Sequence, residues 1–203
     1  VDLGHLFGAR QQVGGRLNLA GEKIQSYVNG ADGWRAMGAG AVDWKITPQT
    51  MLKGDFEYQH KRERSVSGYQ LLGGMQVPDM SRIYPSTMLG QQSWEKPNIF
   101  DTFNTGTRVE HNFSPSWAAF AAGSFSHSLI DDNVVYAYGC YYEDACNTGS
   151  SPYPWFFAPD GTYDIYDYRD SGELRIDAEA EGMVVGHLRT GIVTHDLGEG
   201  CVL

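Results

Sequence analysis

Apolar and polar residues alternate through most of the segment 51–64 of this 203-residue chain. One set of alternate positions holds Leu52, Gly54, Phe56 and Tyr58, and the other holds Lys53, Asp55, Glu57, Gln59 and Lys61. Successive side chains of a β-strand point to opposite faces of a sheet, whereas helical faces repeat about every 3.6 residues. The segment is therefore predicted to be a strand with one apolar face and one polar face.

Strands are predicted along most of the chain on similar grounds. They cover residues 1–7, 12–23, 34–46, 51–64, 100–113, 117–131 and 166–185, and a partial eighth strand follows a turn at 188–191. The alternation is poor in 117–131, where small residues occupy both sides. Most of these segments exceed the roughly 9–11 tilted residues that a strand needs to cross a bilayer.

The connections between the strands alternate between short turns and longer loops. Short turns are predicted at 8–10, 47–50, 114–116 and 188–191, and the longer loops at 29–33, 65–97 and 133–163. Short turns on one side and long loops on the other are typical of outer-membrane β-barrels. We therefore predict an all-β fold: antiparallel up-and-down strands of a partial transmembrane β-barrel, with short periplasmic turns and long extracellular loops. In it, Phe56 and Tyr58 face lipid, and Asp55 and Glu57 face a wet lumen.

Composition excludes two other classes of protein. The chain has no run of about 18 apolar residues, so membrane-spanning helices are not expected. Its formal net charge of −10 argues against nucleic-acid binding, which needs a basic surface.

No catalytic or metal site is predicted. The six histidines lack the spacing of metal ligands, and the sequence at 38–40 resembles a dinucleotide-binding loop but lies inside a predicted strand. The acidic residues Asp160, Asp164, Asp167 and Asp170 do not have the spacing of an EF-hand calcium loop. We therefore expect a protein that is not an enzyme.

The three cysteines indicate a disulfide. Cys140 and Cys146 lie close together in a loop rich in turn-forming residues, and no histidine is near enough to favour a metal site. A loop disulfide between them in an oxidising compartment is expected, which leaves Cys201 over.

Large aromatic residues lie near several predicted strand ends: Trp34, Trp44, Tyr58, Phe113 and Trp117. An aromatic girdle at a membrane interface would place them there. The general preference of aromatic residues for strands explains any single one equally well.

Several sequence motifs resemble the early barrel of TonB-dependent siderophore receptors, in an order and spacing that cover most of the chain. They are Val-Asp-Leu-Gly at 1–4 with Phe7-Gly8, the segment 12–20, Ala-Val-Asp-Trp at 41–44 with Thr47-Pro48, Glu-Tyr-Gln-His at 57–60, and Asp-Gly-Thr-Tyr-Asp at 160–164 before Tyr168.

The resemblance implies a protein of the outer membrane of a Gram-negative bacterium. Such receptors are 22-stranded barrels filled by an N-terminal plug, and they import ferric siderophores with energy passed on by TonB. The implied partners are a ferric siderophore, outer-membrane lipid and, in the full-length receptor, the TonB complex. No cofactor is expected, because iron arrives only within the ferric siderophore.

The chain also departs from that family. It contains no plug segment and fewer than half of the strands, begins within a strand, and lacks a terminal aromatic residue in 197–203. We expect residues 1–203 to be a partial barrel domain, truncated, frameshifted or excised, that cannot transport alone because an open sheet leaves unpaired edges in lipid. The alternative is a small self-contained outer-membrane barrel or an extracellular adhesion or binding module.

The resemblance also implies a ligand site, because the family binds its ligands with aromatic residues and arginines of the plug, inner wall and outer loops. The candidates here are Tyr69, Arg82, Tyr84 and Trp94 in the first long loop, and Tyr136, Tyr138, Tyr141, Tyr142, Trp155, Phe156 and Phe157 in the second. Aromatic faces and arginine suit flat, anionic chelates. Packing of each loop against itself would account for the same residues.

Overall fold

A computed structural model describes residues 1–79, 81, 83–141 and 155–203, which form one antiparallel sheet of eight strands. The strands are β1 (Asp2–Phe7), β2 (Val13–Ile24), β3 (Gly33–Thr47), β4 (Thr50–Glu63), β5 (Asn98–Ser114), β6 (Trp117–Ala137), β7 (Ile165–Thr190) and β8 (Val193–Val202). Each strand pairs with the next one along the chain. This confirms the predicted all-β, up-and-down fold, with tight turns at one end of the sheet and long loops at the other.

The sheet is not closed. In the part of the chain that the structure describes, β1 pairs only with β2 and β8 pairs only with β7. Two strand edges therefore present unpaired backbone groups.

Two predicted boundaries were wrong, the end of β6 at the β6–β7 loop and the end of β7 at the β7–β8 turn. β6 runs to Ala137, beyond the predicted end at residue 131, because its ladder with β7 continues through the acidic pair Asp131 and Asp132. β7 runs to Thr190 rather than 185, and the final turn lies at residues 191 and 192. The β6–β7 and β7–β8 pairings extend these strands past the point where the local alternation of side chains ends.

Cross-strand register sorts the side chains onto two unlike faces. One row of directly paired residues runs through Val13, Trp44, Leu52, Val109 and Ala121. We call the side with this row the apolar face. Its neighbouring row runs through Asp43, Lys53, Arg108, Ala122 and Glu181, and we call that side the charged face.

Ion pairs bind the charged face together. Examples are Arg16 with Asp2, Arg35 with Glu22, and Lys53 with Glu110. The guanidinium of Arg108 lies 3.4 Å from the ring centre of Phe120 and pairs with both Glu110 and Glu181. A single charged side chain thus connects β5, β6 and β7.

No second layer formed by the described residues covers the apolar face. Phe56 is 49% exposed and Tyr58 is 47% exposed, although both lie on β4, a central strand of the sheet. A sheet in water must bury its apolar face against another layer, whereas a barrel wall in a membrane presents that face to lipid. Among the described residues, no helix is long and apolar enough to cross a bilayer.

The buried apolar residues lie under the long loops instead. Val28 and Ala31 of the β2–β3 loop pack with Met88 of the β4–β5 loop. Leu89 packs with Ala137 and Phe157, and the two partly buried residues that flank this cluster are Leu72 and Tyr163. The three long loops therefore form one connected layer at the end of the sheet, which we call the loop layer.

Backbone hydrogen bonds tie the loop layer together. The Asn29 N–H donates to the Ser86 carbonyl at 2.8 Å, and the Gly73 N–H donates to the Phe157 carbonyl at 2.7 Å. The Gly139 N–H donates to the Gln70 side chain at 2.7 Å. These bonds join all three loops, so the layer can hold residues from distant parts of the chain in a fixed arrangement.

Candidate ligand site at the loop end of the sheet

The extended β6–β7 hairpin brings three tyrosines together. Tyr136 and Tyr166 are directly paired across the ladder, and their rings stack with centroids 5.7 Å apart. The Tyr138 ring meets both of them edge-on at 6.4 Å. We call these three residues the tyrosine cluster.

A β-bulge at Gly172 decides which face of β7 carries the cluster. The register shifts at this point, so that Ile130 pairs with Glu173 but Asp131 pairs with Ser171. Gly172 has a φ of +79°, a conformation that favours glycine, and its N–H donates to the Asp131 carboxylate at 2.9 Å.

The bulge exchanges the two faces of β7 beyond it, because one extra residue reverses the alternation of side chains. If Gly172 were instead paired with Asp131 in unbroken register, Asp167 would stand opposite Tyr136 in place of Tyr166. Alternation along β6 places Tyr136 on the same side as Ser126 and Ser128, which is the charged face. In a barrel that face lines the interior, so the cluster sits at the inner, loop-side mouth of the wall.

Asp164 holds the end of the hairpin. Its carbonyl accepts from the Tyr138 N–H at 3.0 Å, and its N–H donates to the Gly139 carbonyl at 3.0 Å. Its carboxylate accepts from the Tyr141 N–H at 2.5 Å. The backbone of Tyr138 is therefore fixed by contacts on both of its sides.

The candidate residues of the first long loop do not join the cluster. Tyr69 and Tyr84 are exposed on the β4–β5 loop. The ring centre of Trp94 lies 6.0 Å from the Arg169 guanidinium. The Trp94 backbone carbonyl accepts a hydrogen bond from the Arg169 side chain at 3.5 Å. Arg169 is paired with Asn133, on the opposite side of the hairpin from Tyr136.

The second long loop divides its candidates between surface and interior. Tyr141 and Trp155 are exposed, whereas Phe156 lies against Gly74, and Phe157 is buried and stacked on Tyr163 at 4.8 Å. Burial makes Phe157 a packing residue of the loop layer. Of the predicted residues, Tyr136 and Tyr138 are the ones that the structure brings together.

Three residues named in the sequence predictions lie outside the described residues: Arg82, Tyr142 and Cys146. Cys140 is buried and disulfide-bonded, and Cys201 is an exposed free thiol. The pairing of Cys140 with Cys146 stays a prediction, as do the ligand roles of the candidate residues.

Tyr166 is not among the sequence candidates because the sequence pattern predicts residue 166 only as the start of a strand. The signal for it was the glycine at 172, which sits within an otherwise regular strand pattern where a bulge is common. Recognising that bulge would have moved Tyr166 to the face that carries Tyr136.

One acidic residue in the loop layer has an unusual environment. The side chain of Glu95 is fully buried, and the Arg64 guanidinium lies 4.0 Å from its carboxylate. Neither carboxylate oxygen has a hydrogen-bond donor among the described residues. Burial raises the pKa of Glu95, and the nearby Arg64 offsets part of that effect.

The site offers aromatic faces and phenolic hydroxyls for recognition. Within the described ranges, no group of three or more histidine, cysteine or acidic side chains is placed to hold a metal ion. The tyrosine cluster can stack on a flat ligand and donate hydrogen bonds to its edge.

Solved structures share this architecture, although no protein-family model and no curated protein sequence matches the chain. The ferric-catecholate import receptor Fiu of E. coli K12 matches 99% of this chain with a TM-score of 0.76 and 15% identity. The ferripyoverdine receptor of the Pseudomonas aeruginosa outer membrane matches 99% with a TM-score of 0.78 and 15% identity. BauA, the ferric preacinetobactin receptor of Acinetobacter baumannii, matches 99% with a TM-score of 0.70 and 16% identity.

The chain spans 28%, 24% and 27% of the lengths of those three structures, respectively. At these identities the likeness concerns the fold. The chain therefore has the fold of a section of barrel wall of the TonB-dependent siderophore receptors.

Proposed function

We propose that the chain is part of an outer-membrane receptor that binds ferric siderophores and imports them with TonB-coupled energy. The observation that carries this proposal is the pair of unlike faces on a single sheet. The apolar face is exposed along its strands, and the charged face is held by ion pairs. This is the arrangement that a barrel needs when lipid lies outside and water lies inside.

The spacing of aromatic residues supports a bilayer position. Trp34 and Trp44 lie on the apolar face near opposite ends of β3, ten residues apart. At about 3.3 Å per residue they are about 33 Å apart along the strand. A tilt of about 45° reduces this to about 23 Å, close to the apolar band of about 25 Å on outer-membrane barrels.

The tyrosine cluster is the proposed ligand contact. It lies on the charged face at the loop end, where a ligand arriving from outside would first meet the interior wall. Stacked tyrosines suit the flat, aromatic or conjugated groups of an iron chelate. Iron is cargo in this proposal, carried within the siderophore and released elsewhere.

The chain is proposed to act as part of a larger barrel. The edges of β1 and β8 carry backbone groups that lipid cannot satisfy, and each such group costs several kcal/mol. Transport therefore requires further strands, and contact with the TonB complex belongs to other parts of a full-length receptor. A self-contained barrel would pair β1 with β8, which the described residues do not do, so that alternative has less support.

The membrane part of the proposal is tested by partitioning. The chain should require detergent for extraction from outer membranes and should show heat-modifiable mobility on gels. A water-soluble monomer with its apolar face buried would contradict the proposed membrane location.

Ligand binding is tested with the chain folded in detergent, with ferric tris-catecholate and ferric hydroxamate chelates as probes. Tyr136→Ala combined with Tyr166→Ala should weaken quenching of intrinsic fluorescence by at least one chelate about tenfold. Tyr27→Ala combined with Tyr58→Ala removes two exposed tyrosines that are not ligand candidates, one in the β2–β3 loop and one on the apolar face, and serves as the matched control. Equal binding by both double variants would remove the tyrosine cluster from the ligand site.

A further inference from the structure

Two cations flank a tryptophan on the apolar face. Lys23 of β2 is directly paired with Trp34 of β3, and Trp34 is directly paired with Arg62 of β4. The three side chains therefore form one row across three strands, at the loop end of the apolar face. We call this the cationic row.

These two cations differ from several of the cations on the charged face. Arg16, Arg35 and Lys53 each have a carboxylate partner. Lys23 and Arg62 are exposed, and neither side chain forms a hydrogen bond or an ion pair with any residue that the structure describes. In a chain of net charge −10, two unpaired cations beside an exposed tryptophan are positioned for an anion from outside the protein.

The acidic group next to the row is already engaged. The Asp101 carboxylate accepts from the Tyr58 hydroxyl at 2.5 Å and lies 2.7 Å from Nδ1 of His60. The His60 ring stacks on Trp34 with centroids 4.6 Å apart. This network holds the Trp34 ring in place, and its donors occupy the carboxylate that would otherwise compete for Arg62.

The surroundings of the row favour a lipid over a free anion. Trp34 is 43% exposed, and Leu19 and Phe56, also exposed, follow it toward the turn end of the same face. The acyl chain of a lipid can lie along these side chains while the phosphate of its headgroup contacts the cations at the loop end. Tryptophan is favoured at the height of lipid headgroups, and lysine and arginine there attract anionic lipid.

We propose that the cationic row binds a phosphate-bearing lipid headgroup in the leaflet on the loop side of the membrane. Lys23 and Arg62 donate to the phosphate oxygens, and Trp34 lies against the headgroup between them. The proposal rests on the membrane location proposed above. It goes beyond it by assigning a lipid class and a position on the wall.

Native mass spectrometry of the chain in a nonionic detergent tests the proposal. The probes are phosphatidylglycerol and digalactosyldiacylglycerol, two diacylglycerol lipids that differ in carrying a phosphate or a neutral sugar. Phosphatidylglycerol should be retained preferentially. Lys23→Gln combined with Arg62→Gln should weaken its retention at low salt by about fivefold for each cation removed.

The matched control is Lys45→Gln combined with Arg189→Gln. These two cations have no carboxylate partner among the described residues and lie at the turn end of the charged face, so the control makes the same change in net charge elsewhere. Circular dichroism should show equal strand content in all variants.

Three results would overturn the proposal: equal retention of the two lipids, equal losses in the two double variants, or inorganic phosphate alone binding with the same dependence on Lys23 and Arg62. Failure of the membrane proposal would look different, since the chain would then need no detergent. A chain that partitions into detergent but retains lipid independently of Lys23 and Arg62 would refute this inference alone.

Discussion

Tyr136 and Tyr166 stand directly opposite each other across the β6–β7 ladder, with their rings stacked at an interplanar angle of 19°. Twenty-nine residues separate them along the chain, so their contact depends on the register of the hairpin. That register changes at Gly172, where β7 has one residue more than β6.

Insertion of one alanine between Arg169 and Asp170 should dismantle the tyrosine cluster. With the bulge at Gly172 kept, the extra residue places Asp167 opposite Tyr136 and turns Tyr166 to the other side. We expect loss of the near-ultraviolet circular dichroism of the stacked tyrosines and at least about tenfold weaker chelate binding. Deletion of Gly172 is the control, because it removes the unpaired bulge residue and leaves Tyr166 opposite Tyr136. An insertion variant that binds like the deletion variant would show that the register of the hairpin does not position the ligand contact.

Glu95 should make the loop layer more stable in mild acid than at neutral pH. Burial raises the folded-state pKa of Glu95, so between its unfolded and folded pKa values the folded state binds more protons. This contribution is fully present below the unfolded pKa and is lost as the pH rises through the folded pKa. The opening free energy of loop amides, measured by hydrogen exchange, should fall as the pH rises through the folded-state pKa.

Glu95→Gln should remove this part of the pH dependence, because the buried group then carries no charge at any pH. Glu199→Gln is the charge-matched control at an exposed strand position. If the opening free energy of the loop amides changes equally with pH in the wild-type chain and in Glu95→Gln between pH 4 and 8, Glu95 is not the group responsible.

Phe56 and Gln59 offer a test of which face meets lipid. Both lie on β4, Phe56 on the apolar face and Gln59 on the charged face. Phe56→Lys should lower the free energy of unfolding in lipid vesicles by about 2–4 kcal/mol, the cost of a lysine near the bilayer midplane. Gln59→Lys should change it by less than about 1 kcal/mol. Denaturant titrations measure the free energy of unfolding of the two variants. A larger loss in Gln59→Lys than in Phe56→Lys would mean that the charged face, not the apolar face, meets lipid.

Gly33 is required for the approach of β3 to β4. A Cβ atom there would lie 2.3 Å from the Arg62 carbonyl oxygen, which is backbone and cannot move aside. Gly33→Ala should therefore open the loop-side end of the β3–β4 ladder and speed hydrogen exchange of its amides about tenfold or more. Gly21→Ala is the control, because no atom lies within 4 Å of its Cβ position. Equal exchange in the two variants would contradict a steric role for Gly33.

Local sequence patterns were sufficient for the architecture but not for the candidate site. The alternation around Phe56 predicted the two faces, because side-chain direction in a strand depends on residue position alone. Tyr138 was found for its residue type, whereas Tyr166 depended on a bulge whose effect exists only between paired strands. The clustering of Leu89 with Phe157 is likewise a contact between two loops, and no periodicity in either loop encodes it.

The strands and the loop layer rely on different solvents for their stability. The buried clusters around Met88 and Leu89 exclude water by packing protein against protein, while the exposed side chains around Phe56 have only the surrounding medium to cover them. Changing the acyl-chain length of the lipid should consequently alter the melting of the sheet and leave that of the loops almost unchanged. One polypeptide would then melt in two stages, one set by the bilayer and the other by its own side chains.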